Sequence, residues 1–386
     1  MKQIPFFSLN VDHNDKKAIM KSLSNNWLSM GPQTLIFEKK FAELIKTSKV
    51  NCVATSSCTA SLHMTLLSLN LQKDDEVILP SLTFVADINT VIFAGGKPVL
   101  ADINSTSDLT ISAENIEKKI TKKTKVVIIV HYAGYECDMK KILELKKKYK
   151  FFLIEDACHA LVSKYKKTYL GLLGDVGVFS FYSNKNMTTG EGGMIVSKNK
   201  KFLYDMRSIR NHGISKSLIE RNKSILSYNI IKPGLNYRID DLRATLGISQ
   251  IRKLKKNNIK RKNIAKIYKN FIIKNNFDII IPFQKRIGYD YSYHLFPIIL
   301  PPKINRDHFV RFFKNNGIQL SFHYIPIHKF KIFKKFGKNL RFTDYVSDKL
   351  VSLPLYADLG TKQQDHILKI LFKYLQKFKK NPQISL

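Results

Sequence analysis

The chain has 386 residues with a globular composition, and this length predicts one large and one smaller folding unit, each with its own core. The formal net charge of +35 raises the possibility of nucleic-acid binding, but the lysines are spread along the whole chain and no nucleic-acid-binding motif frames them. We interpret the charge as a solvated surface that attracts small anions or anionic membrane surfaces weakly, and we expect no nucleic-acid partner.

The sequence also argues against a membrane protein and against a metalloprotein. No apolar run approaches the roughly 20 residues that cross a bilayer. The first residues lack the small-residue cleavage site of a signal peptide, so we expect a cytoplasmic protein without a membrane span. The four cysteines show neither a CxxC pair nor a histidine at zinc spacing, which predicts free thiols and no metal site.

Strand-like and helix-like segments alternate through the first half of the chain. The predicted strands are apolar and rich in β-branched residues, and they lie at 51–54, 76–79, 98–101, 125–130, 151–154 and 176–181. The segments with helical spacing lie at 14–25, 33–46, 61–69, 83–94, 113–120 and 138–149. This alternation predicts an α/β fold with a mostly parallel, doubly wound sheet.

After Gly247 the composition changes. A long basic helix at about 240–272 leads into a segment with predicted strands near 292–299 and 318–325, and with predicted helices near 306–315, 343–350 and 362–378. We place a large domain at residues 1–250 and a small C-terminal α+β domain at 251–386.

Two predicted strand ends carry residues that suit a bound ligand. Ser57, Cys58 and Thr59 stand where the first strand passes into a helix, and the free N–H groups of a helix start bind anions. Ordinary capping by Ser57 or Thr59 explains the same residues equally well. Phe84 follows the next strand, where a ring can stack on a cofactor or simply join the core.

Two charged residues follow later strands. Asp156 stands just past an apolar strand, where a carboxylate is costly unless a cation meets it or it caps the next segment. Lys185 lies four residues after the apolar run that ends at Phe181, and desolvation there would lower the pKa of its amine and favour Schiff-base formation. A solvated loop lysine is the alternative. Taken together, the phosphate cradle, ring, carboxylate and lysine are the parts of a pyridoxal 5′-phosphate (PLP) site.

Several longer motifs strengthen this interpretation. They are WLSMGP (27–32), SSCTASLHM (56–64), PSLTFVADIN (80–89), VHYAGYECDM (130–139), EDACHA (155–160), FSFYSNKNMTTGEGGM (179–194), RNHG (210–213), GLNYRIDDLRATLG (234–247) and SLPLY (352–356). On these motifs the sequence resembles the DegT/StrS family of PLP-dependent nucleotide-sugar aminotransferases, of the aspartate-aminotransferase fold type. The resemblance implies a three-layer sandwich around the sheet.

The resemblance also implies roles for individual residues. Lys185 matches the Schiff-base lysine, Asp156 the partner of the pyridine nitrogen, and Phe84 the stacking residue. His159 matches the position near the cofactor's phenolic oxygen. The phosphate positions correspond to Ser57, Cys58, Thr59 and Ser180, and the substrate-side positions to Ser29, Tyr237, Arg238, His323 and Tyr324. Many relatives have glycine at position 58, and we expect Cys58 to be tolerated because its N–H remains available.

Asn236 resembles the residue that reaches the phosphate of the neighbouring subunit's cofactor, so the resemblance implies a homodimer with shared active sites. The implied reaction is a ping-pong transamination from L-glutamate to a keto nucleotide sugar, as in surface-polysaccharide biosynthesis. The GEGG run at 190–193 is closer to relatives that act at C4 of the sugar, which favours a 4-keto-6-deoxy or similar substrate. A 3-keto sugar or a keto-inositol is the alternative.

Two further classes stay open. The PLP-dependent sugar dehydratases share this scaffold, but the branch we compare replaces the lysine with histidine. A non-catalytic relative is expected to lack Asp156 or Lys185. Both residues are present in this chain, so a transaminase is the favoured prediction.

Overall fold

A seven-stranded sheet forms the centre of the structure, a computed structural model that describes residues 3–48, 51–215, 228–286 and 290–378. Numbered along the chain and given in their order across the sheet, the strands are β1 (Cys52–Thr55), β11 (Gly193–Val196), β10 (Val176–Ser180), β7 (Phe152–Asp156), β6 (Thr124–Val130), β2 (Glu76–Pro80) and β3 (Lys97–Ala101). Strand β11 runs antiparallel to both of its neighbours, and the other neighbouring pairs are parallel. The predicted mostly parallel α/β sheet is confirmed.

Helices cover both faces of this sheet. In chain order, the helices of the structure are α1 (His13–Leu23), α2 (Pro32–Leu44), α3 (Cys58–Leu67), α4 (Ala86–Phe93), α5 (Ala113–Lys119), α6 (Met139–Tyr149), α7 (Lys200–Ile209) and α8 (Asp241–Lys274), followed by α9 (Arg306–Asn315), α10 (Arg341–Ser347) and α11 (Thr361–Leu375), of which α9 and α11 pack in the C-terminal part instead. Adjacent residues of β2 show the two layers, because Val77 packs with Leu62 and Val91, whereas Ile78 packs on the opposite face with Ile142. The sheet is therefore buried on both sides, as a parallel sheet requires.

The C-terminal part builds a second core. Strands β12 (Phe296–Ile299) and β13 (Leu350–Leu353) pair antiparallel and pack with α9, α11 and the second half of α8. Ile4, from near the N-terminus, joins the same core. Helix α8 passes residue 250 without a break, and the division at 250 stays a prediction.

Two short antiparallel strand pairs were not predicted, and two predicted elements differ from the structure. The pairs β4 (Ile103–Ser105) with β5 (Asp108–Ile111) and β8 (Lys164–Tyr165) with β9 (Thr168–Tyr169) lie outside the main sheet. The predicted strand at 318–325 is wrong, because Ile318 pairs with Ile4 and Ser321 with Ser352, and no continuous ladder forms when the partner changes. The predicted helix at 343–350 is wrong at its end, since the helix stops at Ser347 and Leu350 begins β13.

A buried ion pair fastens α2 to the edge strand β1. Arg210 Nη1 lies 2.7 Å from Glu38 Oε1, and both side chains are about 5% exposed. The same Glu38 oxygen accepts the N–H of Ala54 at 2.9 Å, and Arg210 donates to the Ala54 carbonyl. The pair therefore also satisfies backbone groups of β1.

We predict that Glu38→Gln lowers the free energy of unfolding by about 3–5 kcal/mol, because it leaves the Arg210 guanidinium buried without its counter-charge. Glu43 supplies the matched control, since its ion pair with Lys40 lies on the exposed side of the same helix and Glu43→Gln should cost less than about 1 kcal/mol. Urea unfolding of both variants measures the difference. Equal losses in the two variants would contradict the prediction.

Candidate active site

A cavity of about 530 Å³ opens at the carboxyl ends of the parallel strands. The predicted site residues that line it are Ser57, Cys58, Thr59, Phe84, Asp156, Ser180, Lys185, His323 and Tyr324. His323 and Tyr324 come from the C-terminal part of the chain, whereas the others follow strands of the main sheet. The two parts of the chain thus share one cavity.

The start of α3 forms one wall. Ser57 caps this helix, accepting the Ala60 N–H at 3.0 Å, and Cys58 and Thr59 form its first turn. The capping role and the ligand role foreseen for Ser57 do not exclude each other, because the capped helix still begins with free N–H groups and a positive dipole end. This wall suits a phosphate.

Asp156 and Lys185 lie on the neighbouring walls. Asp156 ends β7, is 6% exposed, and its Oδ1 accepts the N–H of Cys158 at 2.8 Å. Lys185 lies in the turn after β10, with its Nζ 3.8 Å from Cys158 Sγ. A buried carboxylate and a primary amine therefore face the same space, with Cys158 between them.

His159 reaches the cavity indirectly. Its ring is buried, its Nδ1 accepts the N–H of Ala133 at 3.3 Å, and its Nε2 lies 2.8 Å from the hydroxyl of Tyr324. Burial, with Lys185 and His323 nearby, holds the pKa of His159 well below its ordinary value, so the ring is neutral. Because Nδ1 accepts a hydrogen bond, the proton is on Nε2 and is donated to Tyr324, which lines the cavity.

The comparisons with known proteins agree with this site. The model of the DegT/DnrJ/EryC1/StrS aminotransferase family matches residues 10–372. The chain belongs to this family. An uncharacterized protein of Methanocaldococcus jannaschii, MJ1066, is 37% identical over 365 residues, which cover 92% of this chain and 93% of that protein.

Solved structures resemble the whole chain. PseC from Helicobacter pylori, an aminotransferase involved in the biosynthesis of pseudoaminic acid, has a TM-score of 0.91 and 26% identity, and the match covers 98% of this chain and 100% of that chain. The PLP form of Spr1654 from Streptococcus pneumoniae has a TM-score of 0.89 and 25% identity, covering 97% and 99% of the two chains. The protein described here, as a member of the DegT/DnrJ/EryC1/StrS family, is a transaminase, and its cofactor is PLP.

The donor set of the cavity fits PLP. The cofactor carries a phosphate, an aldehyde, and a ring nitrogen that is protonated in the active form, and these groups need an anion cradle, an amine and a carboxylate, respectively. The α3 start, Lys185 and Asp156 supply them around one cavity. Phe84 is 56% exposed at its rim, so its ring face is available for stacking.

Asp87 is a cavity residue that the sequence interpretation missed. It lies in the first turn of α4, is 1% exposed, and its Oδ2 lies 2.5 Å from the Thr83 hydroxyl. Burial and the neighbouring Asp156 raise the pKa of Asp87 well above its ordinary value. The helix start favours an ionised carboxylate by only about 0.3–1 kcal/mol, less than the several kcal/mol that desolvation costs, so burial decides the direction of this pKa shift. The PSLTFVADIN motif contains it and was the available signal.

Other cavity residues also escaped the sequence interpretation. They include Tyr182, Asn184, Glu191 and Phe322. Asn184 precedes Lys185 directly, and Glu191 is the acid of the GEGG run, so adjacency to recognised motifs was the only hint. All four cysteines are free, as predicted, and burial raises the pKa of the Cys58 and Cys158 thiols.

Besides His159, four predicted residues lie outside the cavity lining of this chain: Ser29, Asn236, Tyr237 and Arg238. Asn236 is exposed and accepts a hydrogen bond from Arg238 Nε at 3.0 Å. Tyr237 bonds His63 Nδ1 through its hydroxyl at 3.0 Å. Their roles stay predictions, and so does that of the exposed Ser29.

Across the described ranges, no three histidine, cysteine or acidic side chains gather into a group that would hold a metal ion. In the same part of the chain, no helix has both the length and the apolar character that crossing a membrane requires.

The buried histidines of the site predict how stability depends on pH. Burial, with Lys185 nearby, lowers the pKa of His323 to about 3, whereas in the unfolded chain it is about 6.5. Between these two pKa values, His323 is protonated in the unfolded state but not in the folded state. The stability that the neutral ring contributes above pH 6.5 is therefore lost as the pH falls toward about 3.

In the natural chain, the protonation of His323 on unfolding lowers the free energy of unfolding as the pH falls from about 7.5 to about 5. We predict that this decrease is about 2 kcal/mol smaller in His323→Gln. Urea unfolding at the two pH values measures it. Phe322→Leu is the control, because it alters a neighbouring side chain that does not ionise and should leave the pH dependence unchanged. An unaltered pH dependence in His323→Gln would contradict the assignment.

Proposed function

We propose that this enzyme transfers the amino group of L-glutamate to the keto group of a nucleotide-linked sugar, a 4-keto-6-deoxy hexose or similar, for surface-glycan biosynthesis. The observation that carries the proposal is that Lys185, Asp156 and the start of α3 line one cavity. The family match and the likeness to PseC, an aminotransferase involved in the biosynthesis of pseudoaminic acid, support a sugar as acceptor.

Each wall of the cavity has a proposed task. Ser57, Cys58, Thr59 and Ser180 hold the phosphate of PLP, and Asp156 holds its ring nitrogen in the protonated state. When bound, PLP withdraws electrons from the carbon that carries the amino group and so lets that carbon release a proton. Lys185 Nζ takes this proton and returns it, since it is the amine on the cavity wall.

The remaining surface of the cavity suits a sugar. The rings of Phe84, Tyr182 and Phe322 are each at least 40% exposed at its border and offer flat apolar faces. Asn184 and Glu191 add hydrogen-bonding groups, and the Asn184 Oδ1 has no hydrogen-bond partner among the described residues. A cavity of about 530 Å³ also lies within the range of about 300–1,000 Å³ for small-molecule sites.

We also propose a homodimer in which Asn236 contacts the phosphate of the cofactor in the other subunit. Asn236 is exposed and does not line the cavity of its own chain, so it is available to a partner. It adjoins an apolar patch in which Tyr237 contacts His63, and His63 contacts Phe93, a ring that is 74% exposed. Such a patch is typical of a protein interface.

The visible spectrum tests the donor, the acceptor and the lysine together. With PLP the enzyme should be yellow, L-glutamate should bleach this colour, and the correct keto sugar should restore it, because each half-reaction interconverts the two forms of the cofactor. A panel of 4-keto and 3-keto nucleotide sugars and keto-inositols, read by mass spectrometry as well, identifies the acceptor.

Lys185→Ala should not develop the colour, whereas Lys167→Ala, which removes an exposed lysine, should behave as the natural enzyme. No bleaching by glutamate would contradict the proposed donor. Restoration of colour by a 3-keto sugar or a keto-inositol alone would replace the proposed acceptor with that class.

Mixing two inactive variants tests the shared site. Lys185→Ala and Asn236→Ala each impair both sites of their own dimer, but a mixed dimer has one site with both natural residues. After exchange of subunits, about a quarter of all sites should be complete, so the mixture should regain activity that neither variant shows alone. Activity equal to the average of the two variants, or a monomer in sedimentation at working concentration, would contradict the proposal.

A further inference from the structure

Two buried carboxyl groups, those of Asp87 and Asp156, line the cavity together with Cys158 and Lys185. Asp87 is 1% exposed and Asp156 is 6% exposed, and their side chains are within hydrogen-bonding reach of each other. Two ionised carboxylates in this position would repel each other without water to screen them. A proton between them removes the repulsion and makes a hydrogen bond, as in other buried carboxyl pairs.

The contacts of the two residues decide which one carries this proton. Asp156 Oδ1 accepts the backbone N–H of Cys158 at 2.8 Å, and such a donor stabilises the ionised form. The hydroxyl of Thr83 lies 2.5 Å from Asp87 Oδ2. A hydroxyl can donate a hydrogen bond to an ionised carboxylate or accept one from a protonated carboxyl group, so this contact is compatible with both states of Asp87. The proton therefore belongs on Asp87, and burial together with Asp156 raises the pKa of Asp87 accordingly.

The other ionisable groups around the pair agree with a single negative charge. Lys185 is the cation that acts on Asp87, and it balances one carboxylate rather than two. Other groups that interact with Asp87 include the thiols of Cys58 and Cys158 and the phenol of Tyr324. Burial raises the pKa of all three, so they stay neutral and add no charge.

We propose that Asp87 is a positioning residue that carries a proton, donates it in a hydrogen bond to Asp156, and thereby holds the Asp156 carboxylate toward the ring nitrogen of PLP. This inference rests on the proposed role of Asp156. A donor on Asp156 makes that carboxylate a weaker base, so the proton between Asp156 and the ring stays on the ring nitrogen. The electron-withdrawing form of the cofactor thus depends on a residue that does not touch the reacting atoms.

The ring nitrogen itself reports the effect. In the holoenzyme prepared with ¹⁵N-labelled PLP, the ¹⁵N chemical shift distinguishes a protonated ring nitrogen from an unprotonated one. Asp87→Asn keeps the size and places an amide N–H donor against Asp156, so its shift should stay at the position of the natural enzyme. Asp87→Leu removes the donor, and its shift should move toward that of Asp156→Asn, the reference for a lost carboxylate. An Asp87→Leu shift equal to that of the natural enzyme would overturn the proposal.

Infrared spectroscopy provides a second measurement that does not depend on whether Asp87→Leu folds. The holoenzyme at neutral pH should show the C=O band of a protonated carboxylic acid, and Asp87→Asn should lose it. Asp74→Asn is the control and should keep the band, because the ion pair with Lys123 lowers the pKa of Asp74. Absence of the band in the natural enzyme would overturn the proposal. A protein that never turns yellow with PLP would contradict the proposed function instead, so the two failures are distinguishable.

Discussion

The close approach of Gly193 to the loop before α3 is the contact on which the site depends. Gly193 begins β11 and lies opposite Thr55 of β1 on one side and Ser180 of β10 on the other. A Cβ atom at this position would stand 2.4 Å from the carbonyl oxygen of Ser57, so only glycine lets the strand pass. Strand β11 pairs with β1 on one side and with β10 on the other, and it thereby brings the start of α3 and the turn that contains Lys185 to one cavity.

The sequence predicted the parts of the fold that follow from local pattern. Apolar runs followed by helical spacing predicted the parallel strands, and the motif residues Lys185 and Asp156 line one cavity, while their roles stay predictions. Strand β11 was not predicted, because its apolar run, residues 194–196, is only three residues long and follows the GEGG turn, whereas a strand is recognised from runs of about four to eight residues. Its antiparallel direction is likewise a property of the assembled sheet.

Long-range contacts explain the other differences. The segment at 318–325 looked like a strand, but its two bridges go to different partners, Ile4 and Ser352, which lie far away in the sequence. Asp87 was missed because an acid in the first turn of a helix is common and carries no signal of its own, and only the folded chain brings it to the cavity with Asp156. Local pattern cannot predict a pairing that depends on where two distant segments meet.

Helix α8 gives the two cores a common rigid element. Four donors at the start of α2, from Gly31, Gln33 and Thr34, bond the carboxylate of Asp241 in the first turn of α8. The helix then extends over 34 residues, or about 51 Å, and its far half is built into the C-terminal core. Its near end is thus anchored in the layer beside the sheet, while its far end carries the core from which His323 and Tyr324 reach the cavity. Because one continuous helix belongs to both layers, its length sets the separation between the Asp241 anchor beside the sheet and the core that supplies His323 and Tyr324.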